Sequence, residues 1–303
     1  MPTLTSANVA NAIVKLVAVD ALPALMSNLV MGNLVNRDFE PMLAQAGDTV
    51  NIPIPPTLVV NNIAEGGNVQ TQNAPLGNAA IVLNRHIEAS FQIPDITKVL
   101  AVPDLLKLYM QPALIALAER IETDLLSIYS QFTFNSAIGS PGSAVTEATI
   151  DAAETALFNA KVPASQQKYL ITDGATYSQI RQIPRFSEFH TAADAGVRAL
   201  IDGSVGKIKD LFVFRSQLVQ KTGSGPATTH NVAFTGSAIG MAMRRLPQPL
   251  PGTGAIAEYA EMGNFGFRVL MSYAPNTLAQ QFTLDALYGV AKLRDQHFVE
   301  VYS

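Results

Sequence analysis

The sequence predicts a mixed α+β fold, and three features predict it. Apolar side chains recur every three or four positions over residues 103–133, as they do on one face of a long helix. Short apolar strands alternate with helical segments between residues 146 and 254. Two strand-like segments within residues 47–95 flank a long polar stretch. One long helix, an alternating region and an extended strand pair together indicate an α+β architecture.

The long helix is predicted over residues 103–133. Pro103 suits a first helical position, where its missing N–H costs nothing. Pro112 either bends this helix or begins a second segment. The apolar stripe consists of Leu114, Ala118, Ile121, Leu125, Ile128 and Phe132.

Acidic residues of the same helix invite two interpretations. Glu119, Glu122 and Asp124 could be catalytic carboxylates, or they could form the water-exposed side of an ordinary amphipathic helix. The second interpretation is favoured, because long helices normally carry such charges. Arg120 and Asp124 have the i,i+4 spacing of a helical ion pair.

Composition restricts the functions open to this chain of 303 residues. Charged residues make up 15% and hydrophobic residues 48%, which indicates that much of the surface is covered by other copies. The net charge of −4 gives no indication of phosphate binding. The absence of cysteine excludes disulfides and thiolate chemistry. No basic leader or membrane-length apolar stretch is recognised, so we expect a soluble protein without membrane contact.

Residues 1–46 are predicted to form an apolar N-terminal arm. Thr5 or Ser6 can cap a helix, and only Lys15 and Asp20 are charged before residue 37. An arm this apolar is expected to dock on its own subunit or on a neighbour.

Residues 47–95 predict a projecting two-stranded flap. Residues 49–54 alternate as a strand, and strand character resumes from residue 81 to Pro94. The stretch between them is polar and contains one charged residue, Glu65. It lacks the apolar content for a core of its own, so it either lies on a partner subunit or is a disordered loop.

The second half of the chain predicts alternating and then consecutive elements. Prolines between residues 247 and 251 predict a rigid connection within it. The predicted elements are helix 147–159, strand 169–172, helix 175–183, strands 211–214 and 232–234, helix 237–245, and strands 266–273, 282–290 and 297–302.

Motifs for catalysis and cofactor binding are not recognised. Residues 203–207 superficially match a phosphate loop, but Ile201 and Ile208 occupy positions that the motif reserves for glycine and serine or threonine. Ser237 lacks the spacing of a nucleophile elbow. The histidines are widely separated and lack the paired spacing of a metal site. Because none of these motifs is complete, we expect no catalytic residue, cofactor or metal. An enzyme of an unrelated α/β class stays open as an alternative.

The order of these elements resembles that of the major capsid proteins of tailed bacteriophages, which have the Hong Kong 97-type fold. The resemblance covers most of the chain from residue 47 onward. The segments that show the resemblance are residues 47–50 (GDTV), residues 87–95, the long helix, residues 169–180, residues 203–208 (GSVGKI), residues 212–216 (FVFRS), residues 233–246 and residues 285–289 (DALYG).

The resemblance implies four structural parts. The long helix would be the spine of a peripheral domain, and an α/β axial domain would lie at the capsomer centre. The implied parts are the N-terminal arm 1–46, the extended loop with its base strands 47–95, the peripheral domain 96–145 with 255–284, and the axial domain 146–254 with 285–303.

The resemblance also implies function and partners. Pentamers and hexamers would close an icosahedral shell around double-stranded DNA, which they would contact non-specifically. We expect assembly in a bacterial host cytoplasm, a separate scaffolding protein, a portal protein at one vertex, and in some cases a decoration protein. An encapsulin-like nanocompartment around a cargo protein is the alternative. Residues 51–84 contain no lysine, so covalent cross-linking through a loop lysine is not expected.

Seven residues are expected at inter-subunit contacts. They are polar or charged and lie in the flap, at its base, or in an arginine pair that could also approach DNA. They are Glu65, Asn68, Gln70, Gln72, Arg85, Arg244 and Arg245.

Overall fold

A computed structural model describes most of the chain after residue 29. Its helices are α1 Leu105–Leu126, α2 Glu147–Asn159 and α3 Gly174–Gln182. Three 3₁₀ turns cover Met31–Asn33, Ser127–Gln131 and Asp295–His297. The described residues are 30–39, 49–56, 58–63, 65–73, 75–95, 105–183, 206–223, 227–250, 253–262 and 265–303.

Thirteen strands lie in these described ranges and are numbered in chain order. They are β1 Thr49–Ile54, β2 Gly77–Val82, β3 Arg85–Pro94, β4 Lys168–Thr172, β5 Lys207–Ile208, β6 Leu211–Arg215, β7 Lys221–Thr222, β8 Thr228–Thr235, β9 Ile239–Arg244, β10 Ile256–Met262, β11 Phe265–Ala274, β12 Ala279–Lys292 and β13 Phe298–Tyr302.

The strands form three sheets. β1 and β2 make an antiparallel pair. A second sheet has the order β10-β11-β12-β3, and β9 extends it by pairing with the later part of β12. A third sheet has the order β13-β8-β4-β6-β5, in which β4 and β6 run parallel, and β7 pairs with β8. Helices, one mixed sheet and two antiparallel sheets confirm the α+β class.

Helix α1 buries the predicted stripe. Leu114, Ala118, Ile121 and Leu125 are at most 2% exposed, and they join one core with β3, β11 and β12. Pro112 lies inside the helix, so it begins no second segment. The predicted helix end at residue 133 is wrong, because the α-helix ends at Leu126 and a 3₁₀ turn follows. Residues 103–104 lie outside the described part.

Two helices on the third sheet begin at side-chain caps. Thr146 and the third residue of α2, Thr149, form a reciprocal capping box. Asp173 caps α3 by accepting from the backbone N–H of Thr176 at 2.8 Å. Each cap satisfies donors that would otherwise lack a partner, which explains why both helices begin within a residue of the predicted positions.

The predicted helix over residues 237–245 is wrong. This stretch is strand β9, which pairs antiparallel with β12 from Ile239 to Arg244. Small apolar residues such as Gly240 and Ala242 suit either structure, so local pattern alone does not decide between them. Met241 and Ala242 are completely buried in the sheet, and this tertiary burial stabilises the strand.

The returning strand predicted from residue 81 to Pro94 is two strands. β2 pairs with β1, whereas β3 pairs with β12 along its whole length. The chain changes sheet at Leu83 and Asn84, where the Asn84 N–H donates to the Val82 carbonyl at 3.1 Å. The flap therefore begins and ends on the β1–β2 pair, and β3 belongs to the sheet beneath α1.

The predicted division into domains stays a prediction. The proposed boundary between residues 284 and 285 falls inside β12, which is continuous from Ala279 to Lys292. Of the proposed arm 1–46, residues 1–29 and 40–46 lie outside the described part. None of the described helices is both long enough and apolar enough to cross a membrane.

Candidate assembly surfaces

Of the predicted flap over residues 47–95, the flap itself is the part between β1 and β2, residues 55–76, and β1 and β2 form its base. Its base is buried, with Val50 1% and Ile81 0% exposed. Its described residues form no helix and no strand. Large apolar side chains in the flap are at least half exposed to solvent. They are Leu58, Val59, Val60, Ile63, Val69 and Leu76.

The two limbs of the flap contact each other. The Val59 N–H donates to the side-chain oxygen of Gln72 at 3.0 Å, and the Gln72 amide nitrogen donates to the Val59 carbonyl. This pair joins the outgoing limb to the returning limb without adding a core. Exposed apolar surface of this extent is typical of a binding surface.

The seven residues expected at contacts lie on three different elements. Glu65, Asn68 and Gln70 are exposed in the flap, and Gln72 bonds to Val59. The structure thus groups four of the seven, and their role between subunits stays a prediction.

The three arginines of that set lie outside the flap. Arg85, at the start of β3, pairs with Asp124 of α1 at 2.9 Å within the chain. Arg244 and Arg245 are exposed at the end of β9, and the Arg245 guanidinium lies 5.9 Å from the Tyr259 ring centre. An inter-subunit role for these arginines also remains a prediction.

The prediction missed the apolar residues of the flap. Leu58, Val60 and Val69 are between 69% and 93% exposed, so they offer more area for burial than the polar residues beside them. The signal was present in the sequence, since apolar residues in a segment without a core have no site of burial within their own subunit.

A groove of about 960 Å³ opens at the base of the flap. One wall is the flap base, and the other is the turn that follows β12. Phe134, just beyond α1, lines the groove and is 56% exposed. The lining residues are Ile54, Pro55, Pro56, residues 77–80, Gln131, Phe134 and residues 291–297.

Asp295 fixes the wall of the groove that is formed by the turn after β12 and by Phe134. Its carboxylate accepts from the backbone N–H groups of Thr133 at 3.0 Å and Phe134 at 3.4 Å, and it pairs with Lys292 at 2.9 Å. Partial burial acts to raise the pKa of Asp295, but these donors outweigh it and hold the pKa below its ordinary value. Asp295 and Lys292 therefore neutralise each other at neutral pH.

Glu122 corrects the prediction that the acidic residues of α1 face water. It is 1% exposed and accepts from the backbone N–H groups of Met31, at 2.9 and 3.0 Å, and Gly32, at 3.4 Å. Burial raises the pKa of Glu122 although these donors act to lower it. Of the three predicted acids, Glu119 alone is exposed.

Asp124 is also buried, at 8% exposure, which is a second correction. It accepts from the Tyr288 hydroxyl at 2.6 Å and pairs with Arg85 at 2.9 Å. The predicted pair with Arg120 is present at 3.4 Å. Burial and the Asp124 hydrogen bond raise the pKa of Tyr288. The carboxylate thus joins α1 to β3 and β12 and does not act as an open acid or base.

Two histidines contact hydroxyl groups, as a catalytic base would. His230 contacts Glu300 and Thr222 through its two ring nitrogens, and its ring stacks on Tyr129. These contacts tie β7, β8 and β13 together. In the other pair, Ser237 lies 2.7 Å from Nδ1 of His297.

The Ser237–His297 pair lacks the third member of a catalytic triad. No carboxylate of the described residues contacts His297, and burial lowers the pKa of this histidine. The described residues contain no cluster suited to a metal ion. The arrangement offers assembly surfaces more clearly than a reaction centre.

Comparison with known proteins gives structural likeness alone. No family model matches the sequence, and no curated protein is significantly similar to it. A structure from Mycobacterium phage Che8 is similar at a TM-score of 0.67 and 18% identity, covering 90% of each chain.

Capsid structures of other phages are similar over most of their length. For the capsid of cyanophage P-SCSP1u the TM-score is 0.58 at 16% identity, with 85% of this chain and 84% of that chain covered. For the capsid of Ralstonia phage GP4 the TM-score is 0.57 at 13% identity, with 86% of this chain and 84% of that chain covered. The chain therefore has the fold found in these phage structures, and the prediction of a capsid-protein fold is confirmed.

Proposed function

We propose that the chain is the major capsid protein of a tailed bacteriophage with the Hong Kong 97-type fold. Copies associate as pentamers and hexamers into an icosahedral shell that encloses double-stranded DNA, and the protein resides in the virion. The observation that carries the proposal is the structural likeness to phage capsids over at least 85% of the chain. That likeness favours a phage shell over a nanocompartment for a cargo protein.

The flap supports self-association independently of that likeness. Its apolar side chains are exposed although the segment has no core of its own. Burying such side chains releases roughly 25 cal/mol for each Å² of apolar surface, so a second subunit is a favourable cover. A shell repeats each modest contact many times, which makes a closed container stable.

The remaining partners follow from the same proposal. A separate scaffolding protein guides assembly in the host cytoplasm, a portal protein occupies one vertex, and a decoration protein binds the outside where one exists. DNA is contacted without base specificity, consistent with a net charge of −4 and no extended basic stretch. The chain itself catalyses no reaction.

Removal of the flap tests the proposal. A chain in which residues 58–73 are replaced by a short Gly-Ser link should melt like the wild type, because the excised residues contribute little to the core. Sedimentation velocity should show particles for the wild type and only small species for the shortened chain. Particles of normal size from the shortened chain would contradict a role for the flap in assembly.

Side-chain variants separate the apolar surface from the length of the flap. Changing the six exposed apolar flap residues to serine should abolish particles without changing the melting temperature. A matched control changes the exposed polar residues Asn61, Asn62 and Asn73 to serine. This control variant should assemble normally.

A further inference from the structure

The groove at the flap base has an uncovered apolar wall. Phe134 is 56% exposed, and Ile54, Pro55 and Pro56 lie on the side opposite the β12 turn. The backbone N–H groups of Thr133 and Phe134 donate to Asp295 and hold the side that carries Phe134 in place. A wall fixed in this way is formed before any partner arrives, which lowers the cost of binding.

Among the residues that the structure describes, the groove also carries one positive charge, that of Arg294, with no carboxylate paired to it. Lys292 and Asp295 pair with each other, and burial lowers the pKa of His297 so that it is neutral near pH 7. Arg294 lines the groove and is exposed, and no ion pair or hydrogen bond joins its guanidinium to another described residue. The groove therefore suits an apolar segment with a single carboxylate.

The tip of the flap has that chemistry. Glu65 is the one charged residue of the sequence between residues 51 and 84. It is exposed and has no ion pair within the described ranges. Ile63 and Val69, on either side of it, are 53% and 77% exposed. Gly66 has a φ of +80° and open space around it, so the backbone turns sharply there without bulk.

We propose that the flap tip of one copy docks in the flap-base groove of a second copy, where Glu65 pairs with Arg294 and the flanking apolar residues cover Phe134. This inference rests on the proposed function. In this chain the tip is exposed and the groove is open. The two surfaces differ, so the contact is heterologous, and such contacts close into rings when the rotation between copies allows it.

Charge reversal tests the pairing. Glu65→Arg and Arg294→Glu should each leave the melting temperature unchanged and lower the assembled fraction about tenfold, because each places like charges together. The double variant should recover most of the assembled fraction. Arg181→Glu, an exposed arginine on α3, is the control and should assemble like the wild type. Normal assembly of both single variants, or no recovery in the double variant, would overturn the pairing.

A binding measurement separates this inference from the proposed function. A fluorescent peptide of residues 58–73 is titrated onto the full-length Glu65→Arg chain, whose groove is intact and is not filled by the flaps of other copies, and anisotropy reports binding without any shell. We expect saturable binding that Arg294→Glu weakens and that a Glu65→Arg peptide restores on that variant. Failure of the peptide to bind would overturn the inference even if the wild type forms shells. Peptide binding without shells from the wild type would instead contradict the proposed function.

Discussion

Glu122 joins the N-terminal segment to α1 across 91 positions of the sequence. Its two carboxylate oxygens accept backbone N–H groups at the start of the 3₁₀ turn Met31–Asn33. Such N–H groups have no partner within the turn itself, and water cannot reach them here because Met31 is completely buried. The carboxylate is therefore a structural acceptor that fixes the 3₁₀ turn Met31–Asn33 to α1.

Removal of this acceptor should destabilise the subunit. Glu122→Ala leaves buried donors unsatisfied, and each such donor costs about 1–3 kcal/mol. Glu122→Gln keeps one acceptor oxygen and should lower the free energy of unfolding by less than Glu122→Ala does. Glu119→Ala, on the exposed side of the same helix, is the control and should change stability by no more than about 0.5 kcal/mol. Urea unfolding measures all three, and equal stability of Glu122→Ala and the control would contradict the account.

The same residue predicts a pH dependence. Burial raises the pKa of Glu122 in the folded state, so the folded chain binds this proton more tightly than the unfolded chain does. Its contribution to stability is then fully present below the unfolded pKa and is lost as the pH rises through the folded value. Glutamine does not titrate, so the stability of the wild type relative to Glu122→Gln should fall as the pH rises across this interval. A difference that is constant or grows with pH would contradict the sign.

At the scale of elements, Gly289 sets how closely the flap base approaches the second sheet. β2 crosses β12 at this position, and a Cβ built on Gly289 would overlap the carbonyl oxygen of Val82. That oxygen belongs to backbone, which cannot move aside without shifting β2. The absence of a side chain at Gly289 therefore allows the two sheets to pack.

Gly289→Ala should separate these two sheets. The expected cost is about 1–3 kcal/mol, as for other overpacked sites, and it should appear as a lower melting temperature in differential scanning calorimetry. Gly174→Ala is the matched control, because a Cβ there meets no atom within 4 Å and α3 gains a better helix former. Melting of Gly289→Ala at or above the control temperature would show that the contact is not tight.

The elements that could be predicted are those whose local pattern agrees with their packing. The stripe of α1 and the capped starts of α2 and α3 belong to this class, because spacing and caps are readable in the chain itself. Residues 237–245 do not belong to this class, since their small apolar side chains suit both helix and strand. The pairing with β12 makes this segment a strand. The burial of Glu122 also depends on a partner 91 positions away, which periodicity cannot show.

At the scale of the whole molecule, the sequence indicated the capsid-protein fold through the order of its elements, and the structural likeness to phage capsids confirms that fold. The assembly surfaces were less predictable. The flap was recognised as a segment without a core, but the groove is formed by residues 54–56, 77–80 and 291–297, which only the fold brings together. The assembly surfaces therefore depend on both the local composition and the tertiary structure.

Electron microscopy of the purified chain tests the central claim most directly. The protein is passed through size exclusion with and without its candidate scaffolding protein, and each sample is imaged in negative stain. The account predicts hollow, uniform icosahedral particles in at least one of the two conditions. A monomer or small oligomer in both conditions would contradict it.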